Sequence, residues 1–187
     1  MTENQNPFLT AYNTPHETTP FHLIQTEHFE PAVSAGIEEQ NREIEEIIHN
    51  PETPTFANTI VALERSGKTL DRITTVFGNL LSAETNDEMQ AIAERIMPQL
   101  TEHSNNISLN EKLFSRIKSV YENGDKQSLN QEETMLLKKT YDGFIRSGAN
   151  LSDEHKERFR KLSSELSVLT LKFSQNNLKR ILQLHVI

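Results

Sequence analysis

Residues 54–83, PTFANTIVALERSGKTLDRITTVFGNLLSA, decide the fold. Apolar residues recur in this stretch at spacings of three and four, which places them on one face of a helix. Gly67 lies in phase with them, and a glycine inside a helix costs about 1 kcal/mol, less than the roughly 1.5–3 kcal/mol that each buried apolar side chain contributes. The pattern therefore predicts one long helix near residues 55–83 with Thr55 as its N-cap. The alternative is that Ser66-Gly67-Lys68 ends one helix and starts another. The apolar positions are Phe56, Ile60, Leu63, Leu70, Ile73, Phe77 and Leu80.

The same spacing predicts helices on both sides of this stretch. No segment shows the period-two alternation of a strand, so the expected fold class is all-α, a bundle of about six helices. Capping boxes are expected at Thr85 with Glu88 and at Asn130 with Glu133, and Ser147-Gly148 is a typical helix end. The other predicted helices start near Glu27, Thr85, Asn110, Asn130 and Ser152.

The start of the chain predicts an arm rather than a helix. Prolines at positions 7, 15 and 20 oppose helix formation in residues 1–26. We expect this segment to be extended and docked by its apolar side chains, followed by a helical domain at 27–177 and a tail at 178–187. The candidate anchors are Phe8, Leu9, Tyr12, Phe21, Leu23 and Ile24.

The last predicted helix carries a heptad-like seam, which predicts antiparallel packing within the bundle. The tail adds apolar residues, and together with the last helix it predicts a symmetric homodimer. Folding of the tail back onto its own bundle is the competing outcome. The seam consists of Phe159, Leu162, Leu166, Leu169 and Phe173, and the tail residues are Ile181, Leu182, Leu184, Val186 and Ile187.

Composition limits the classes of partner. The 187 residues are 35 % hydrophobic with a net charge of −8, which suits one soluble domain and argues against a nucleic-acid partner. The sequence has no run of 18 apolar residues and no basic and apolar leader, so we expect no membrane span and a cytoplasmic location. It has no cysteine, which excludes disulfides and thiolate metal ligands.

Several motifs resemble a known family. Residues 54–60 (PTFANTI), 62–64 (ALE) and 66–67 (SG) are similar to a signature near the N-terminus of the thimet oligopeptidase family of zinc metallopeptidases. Residues 76–88 (VFGNLLSAETNDE) narrow the resemblance to its peptidyl-dipeptidase branch. Further similar motifs follow in order at 103–113, 113–117, 120–122, 144–151, 166–169 and 173–176, so that the resemblance covers about residues 6–177.

The resemblance implies the N-terminal helical region of such an enzyme without its catalytic part. Residues 178–187 do not resemble the family's continuation, and a truncation, a frameshift or an artificial chain end would each explain this. The implied role is one wall of a channel that admits short peptides, in a portion that is inactive alone and has the missing catalytic half as its partner. The alternative is a stand-alone helical protein-interaction module.

No catalytic or metal-binding residue is expected in this chain. The resembling enzymes hold zinc on a His-Glu-x-x-His helix, in which two imidazoles share one face. Residues 16–20, HETTP, have Pro20 in place of the second histidine, and none of the seven histidines lies three or four residues from another. Zinc is therefore expected only in the missing part.

Two other features have a weaker functional meaning. Gly67-Lys68-Thr69 is similar to the end of a phosphate-binding loop, but Ala62 stands where the first glycine is required. The predicted helix from Glu27 has an acidic face, which would either attract basic peptides or serve simply as a solvated surface. That face carries Glu30, Glu38, Glu39, Glu43, Glu45 and Glu46.

Overall fold

A computed structural model of the protein describes residues 6–184, with the backbone alone for Lys126 and for residues 181–184. This part of the chain is helical and contains no strand, which confirms the predicted all-α class. Six of its α-helices have thirteen residues or more, and a seventh has four. They are α1 (Phe29–Ile48), α2 (Ala62–Arg65), α3 (Lys68–Ala83), α4 (Asp87–Ser108), α5 (Glu111–Asn123), α6 (Gln131–Arg146) and α7 (Asp153–Leu184).

The prediction of one long helix over residues 55–83 is wrong. A π-helical segment, Phe56–Val61, leads into α2, and Ser66 then leaves the helix with an extended backbone. Gly67 follows with φ 73°, a left-handed conformation that glycine adopts without the clash of a Cβ atom, and α3 starts at the next residue. The alternative stop and start at Ser66-Gly67-Lys68 is therefore what the chain adopts. The predicted N-cap is confirmed, because the Thr55 hydroxyl accepts a hydrogen bond from the Asn58 amide at 3.1 Å.

The break at Gly67 leaves the apolar side chains on both sides of it buried. The single-helix prediction assumed that their burial required one continuous helix, and that assumption is wrong. The chain forms two compact units, and the boundary between two of their segments falls between Ser66 and Gly67. Unit 1 comprises residues 6–39, 67–100 and 165–184, and unit 2 comprises residues 40–66 and 101–164. Ile60, before the break, is buried in unit 2, and Phe77, after it, is buried in unit 1. Each half of the apolar stripe therefore has its own core.

Three aromatic rings mark the core of unit 1. The ring centroid of Phe29 lies 5.0 Å from that of Phe8 and 5.1 Å from that of Phe77. All three side chains are buried. The other buried members of this core are Ala32, Val33, Leu70, Ile73, Val76, Met89, Ile92, Ala93, Ile96 and Leu171.

Unit 2 has a separate core, in which α5 packs against α6. Tyr121 and Tyr141 stack with ring centroids 4.0 Å apart, and Phe114 stacks on Tyr141 at 5.8 Å and on Phe144 at 6.3 Å. Aromatic pairs of this kind stabilise a fold beyond the free energy gained by burying their apolar area. The buried residues of this core are Ile44, Ile47, Ile60, Leu113, Ile117, Val120 and Leu137.

The N-terminal arm is docked through some of its predicted anchors, and Ile24 is one that packs against the core of unit 1. Phe8 is fully buried, whereas Phe21 and Leu23 are 57 % and 52 % exposed. The Arg72 guanidinium hydrogen-bonds to the Phe8 carbonyl oxygen and lies 4.4 Å from the centre of the Tyr12 ring, which is cation–π geometry. Short 3-10 turns interrupt the extended backbone at Pro7–Leu9, Pro15–Glu17, Phe21–Leu23 and Thr26–His28. The division into an arm, a domain at 27–177 and a tail stays a prediction.

Of the two capping boxes predicted from sequence, one is confirmed and the other is wrong. Asn130 and Glu133 form the predicted reciprocal box at the start of α6. The cap of α4 is wrongly assigned to Thr85 and Glu88, since the Asn86 side-chain oxygen accepts from the Met89 amide at 2.8 Å. Asparagine is an excellent N-cap in its own right, so the box is not needed. The Glu88 carboxylate instead accepts a hydrogen bond from the Thr26 hydroxyl at 2.9 Å.

Two glycines of the α6 region are expected to respond oppositely to alanine. Gly148 ends α6 with φ 88°, and an added Cβ would lie 2.8 Å from a methyl carbon of Leu151. Gly148→Ala should therefore lower the free energy of unfolding by about 1–2 kcal/mol. Gly143 lies inside the helix with nothing within 4 Å of its added Cβ, so Gly143→Ala should raise it by about 0.5–1 kcal/mol. Urea denaturation measures both variants, and the same sign for both would contradict the assignment of Gly148.

Candidate docking surface

The predicted seam of α7 faces solvent instead of packing within the bundle. Leu166, Leu169 and Phe173 are 64 %, 63 % and 67 % exposed, and Leu162, one turn earlier, is 54 % exposed. Phe159 alone among the five predicted seam residues is partly buried. We refer to Leu162, Leu166, Leu169 and Phe173 as the outward stripe.

A second apolar row on α7 makes the contact that the outward stripe does not make. Leu171 is buried in the core of unit 1, and Val168, three residues before it, is partly buried. Leu178, seven residues after Leu171, is also partly buried. Val168, Leu171 and Leu178 fit helical spacing as well as the seam does, so periodicity alone could not choose between the rows. The predicted packing of the seam is therefore wrong, because Leu171 of the second row lies in the core of unit 1 and the outward stripe does not.

The first turns of α7 are fixed within unit 2 by an ion pair. Lys156 is buried, and its ammonium group pairs with the exposed carboxylate of Glu111 at the start of α5. The hydrogen bond from Lys156 lowers the pKa of Glu111 below its usual value. Arg160, one turn further along, donates to the side-chain oxygen of Asn106. These polar contacts hold the opposite side of the helix from the outward stripe.

The charge of α7 differs in sign from that of the chain. Residues 153–184 contain seven Lys or Arg and four Asp or Glu, a net charge of +3, whereas the whole chain carries −8. Glu165 and Lys172 are exposed beside the outward stripe. The stripe is thus an apolar strip bordered by one acidic and one basic residue, which lie one heptad apart.

A buried histidine in unit 2 is a second polar feature. His103 is 6 % exposed, and its Nε2 donates to the side-chain oxygen of Gln40 at 2.7 Å. The Gln40 amide in turn donates to the Ser66 hydroxyl at 3.4 Å, next to the break before Gly67. Burial lowers the pKa of His103, because a charged imidazole loses its hydration there. The hydrogen bonds of this group connect α4, α1 and the residue before Gly67 within unit 2.

The lowered pKa of His103 predicts a pH dependence of stability. As pH falls through about 6.5, the unfolded chain binds a proton at this position and the folded chain does not. The free energy of unfolding should therefore decrease below that pH until the folded-state pKa is passed. His103→Gln should make the dependence of the free energy of unfolding on pH shallower between pH 7 and pH 5. Urea titrations at several pH values give both slopes, and equal slopes for wild type and His103→Gln would refute this assignment.

At least three of the six glutamates on the acidic face of α1 contact polar side chains of the protein. Glu30 pairs with Arg95 at 3.0 Å, Glu45 pairs with His49 at 3.1 Å, and Glu39 accepts from the Thr69 hydroxyl. Attraction of basic peptides by this face stays a prediction.

The described side chains do not fit a zinc site. No group of three His, Asp or Glu residues among them is arranged to hold a metal ion. The partial motif at His16 and Glu17 lies in a 3-10 turn, where both residues have positive φ and are exposed. In the same part of the chain, none of the helices combines the length and the hydropathy that crossing a membrane requires.

Comparison with known proteins identifies relatives over nearly the whole chain. It is 36 % identical over 170 residues to a dipeptidyl carboxypeptidase of Escherichia coli, a match that covers 91 % of this chain and 25 % of that enzyme. This chain is homologous to a fragment of the thimet-family metallopeptidases. Oligopeptidase A of Escherichia coli is 26 % identical over 91 % of the chain and 25 % of its own length, and organellar oligopeptidase A of Arabidopsis thaliana is 28 % identical over 94 % and 22 %. No family model matches the chain.

The homology confirms the family resemblance inferred from the sequence motifs. The chain spans about a quarter of the length of these metallopeptidases. It corresponds to a peptidase-related N-terminal portion. Sequence reasoning missed the exposure of the outward stripe within that portion, because the only available signal was the presence of two competing apolar rows on α7.

Proposed function

We propose that this chain is the N-terminal helical portion of a zinc-dependent peptidyl-dipeptidase or oligopeptidase that cleaves short peptides, and that it is inactive alone. The observation that carries the proposal is the match to a dipeptidyl carboxypeptidase over 91 % of the chain but only 25 % of the enzyme. In this proposal zinc and the catalytic groups belong to the other part of such an enzyme, and the location is cytoplasmic.

The outward stripe of α7 supports a role in assembly with the catalytic part. Soluble monomers rarely expose contiguous apolar patches larger than a few hundred Å², and the largest patch on a protein is often a functional contact. In the proposed enzyme the stripe docks against the catalytic part, and the helical portion forms one wall of the channel that admits short peptides. Assembly of this kind needs no reactive side chain from the chain itself.

Activity of the isolated chain is the first test. The purified chain, with and without added zinc, should release no C-terminal dipeptide from short blocked peptides. Calorimetry should detect no stoichiometric zinc site of submicromolar affinity. Dipeptide release or a tight single zinc site would contradict the proposal.

A chimera tests the positive part of the proposal. The matching quarter of the Escherichia coli dipeptidyl carboxypeptidase would be replaced by this chain, and the chimera should retain dipeptide release. Leu166→Glu combined with Leu169→Glu should lower that activity at least tenfold, whereas Ser174→Glu, an exposed position on α7 outside the stripe, should not. A chimera that folds, as judged by circular dichroism, but releases no dipeptide would refute the proposed role.

A stand-alone helical protein-interaction module is the second candidate, in which the exposed outward stripe would be the contact surface for a partner protein. Sequencing the genomic DNA beyond codon 187 for a His-Glu-x-x-His frame distinguishes the two. Such a frame would support the peptidase portion, and its absence would support the module.

A further inference from the structure

The outward stripe has the repeat of a short coiled-coil seam. Leu162, Leu166, Leu169 and Phe173 are separated by four, three and four residues, which are the spacings of alternating a and d positions. The next position before the stripe in the same series is Phe159, which is partly buried, and the next positions after it, Asn176 and Arg180, are polar. The seam is therefore about two heptads long and bounded at both ends.

We propose that, in the isolated chain, the outward stripe is covered by the same stripe of a second copy in an antiparallel arrangement. The proposal rests on the exposed side chains and charges of α7 and does not depend on the proposed function. Placing Leu166 opposite Leu169 of the second copy aligns the two seams along their whole length. In this register each apolar side chain of one copy meets apolar side chains of the other.

Charge complementarity selects the antiparallel orientation. Residues at g positions of antiparallel helices lie beside g positions of the partner helix, which places Glu165 beside Lys172 of the second copy. The two-fold symmetry gives this pair twice. In a parallel dimer, Glu165 would instead face Thr170 and Lys172 would face Asn177, so neither charge would have an opposite partner. The other edge of the antiparallel seam carries only Ser163 and Thr170, which add no repulsion.

The size of the stripe implies weak association. An aromatic side chain buries about 150–250 Å² when fully covered, and with the lower part of that range taken for leucine, four half to two-thirds exposed side chains offer on the order of 400–500 Å² per copy. The total of about 900 Å² is below the roughly 1,200–2,000 Å² of a stable interface. We therefore expect a reversible dimer with a dissociation constant of roughly 10–500 μM.

Sedimentation equilibrium of the full chain from about 10 to 500 μM tests the dimer. The apparent mass should rise with concentration from the monomer value of 21.4 kDa towards twice that value. Leu166→Glu combined with Leu169→Glu should abolish the rise, while Ser174→Glu should preserve it. Both leucines are largely exposed, so circular dichroism should show unchanged helix content in the double variant. A constant monomer mass, or association that survives the double variant, would overturn the proposal.

A charge exchange tests the orientation independently of the leucines. Glu165→Lys and Lys172→Glu should each raise the dissociation constant at least threefold, because each places like charges side by side in both symmetric pairs. The double exchange of Glu165→Lys with Lys172→Glu should restore the wild-type value. Single variants with wild-type affinity would refute the antiparallel register, since a parallel dimer brings neither residue against a charged partner.

Discussion

Phe77→Ala is expected to lower the free energy of unfolding by about 3–5 kcal/mol, one of the two largest effects predicted for this chain. Phe77 is 2 % exposed, and its ring packs edge-on against Phe29 at 5.1 Å. Phe29 contacts Phe8 in turn, so the substitution leaves a cavity beside a pair of rings that link α1 to the N-terminal arm. Loss of the aromatic contact adds to the loss of apolar burial.

An exposed phenylalanine in the same unit provides the matched control. Phe21 is 57 % exposed, so Phe21→Ala should change the free energy of unfolding by less than about 0.5 kcal/mol. Urea denaturation followed by circular dichroism measures both variants. A loss below 1 kcal/mol for Phe77→Ala would show that Phe77 does not anchor the core of unit 1.

Leu113→Ala is the second large effect, with an expected loss of about 2–5 kcal/mol in the free energy of unfolding. Leu113 is fully buried in the core of unit 2, in the first turn of α5. The cap of this helix uses the Leu113 amide, which donates to the Asn110 side chain at 3.0 Å. Because the backbone hydrogen bond survives the substitution, the measured loss reports the cavity rather than a change of cap.

Leu162→Ala is the control for Leu113→Ala, since it removes the same atoms from a side chain of unit 2 that is 54 % exposed. It should cost less than about 0.5 kcal/mol when denaturation is measured at a few micromolar protein. Similar losses for the two leucines would contradict the assignment of Leu113 to the core.

The symmetric homodimer predicted from sequence involved both the last helix and the tail. The side chains of Ile181, Leu182 and Leu184 and the residues Val186 and Ile187 lie outside what the structure describes. The part that concerns α7 stays a prediction, and the exposure of the outward stripe supports it.

Local sequence determined where most helices begin and end. Asn110 and Asn130 accept hydrogen bonds from the amides of Leu113 and Glu133, as an N-cap side chain does in any context. Gly148 ends α6 because its left-handed backbone suits a residue without a Cβ atom. The all-α class, most of the caps and the family resemblance depend on interactions within a few residues or on motifs, so the sequence by itself was enough for them.

Tertiary structure decided which apolar residues are buried together. Residues before and after Gly67 share one helical phase, yet Ile60 and Phe77 belong to two separate cores, and no local pattern records that division. On α7, Leu171 occupies a core while Leu169 faces solvent, although both fit the helical period. Periodicity identifies the faces of a helix, but the choice of the buried face depends on which distant segment lies against it, and that is a property of the folded chain alone.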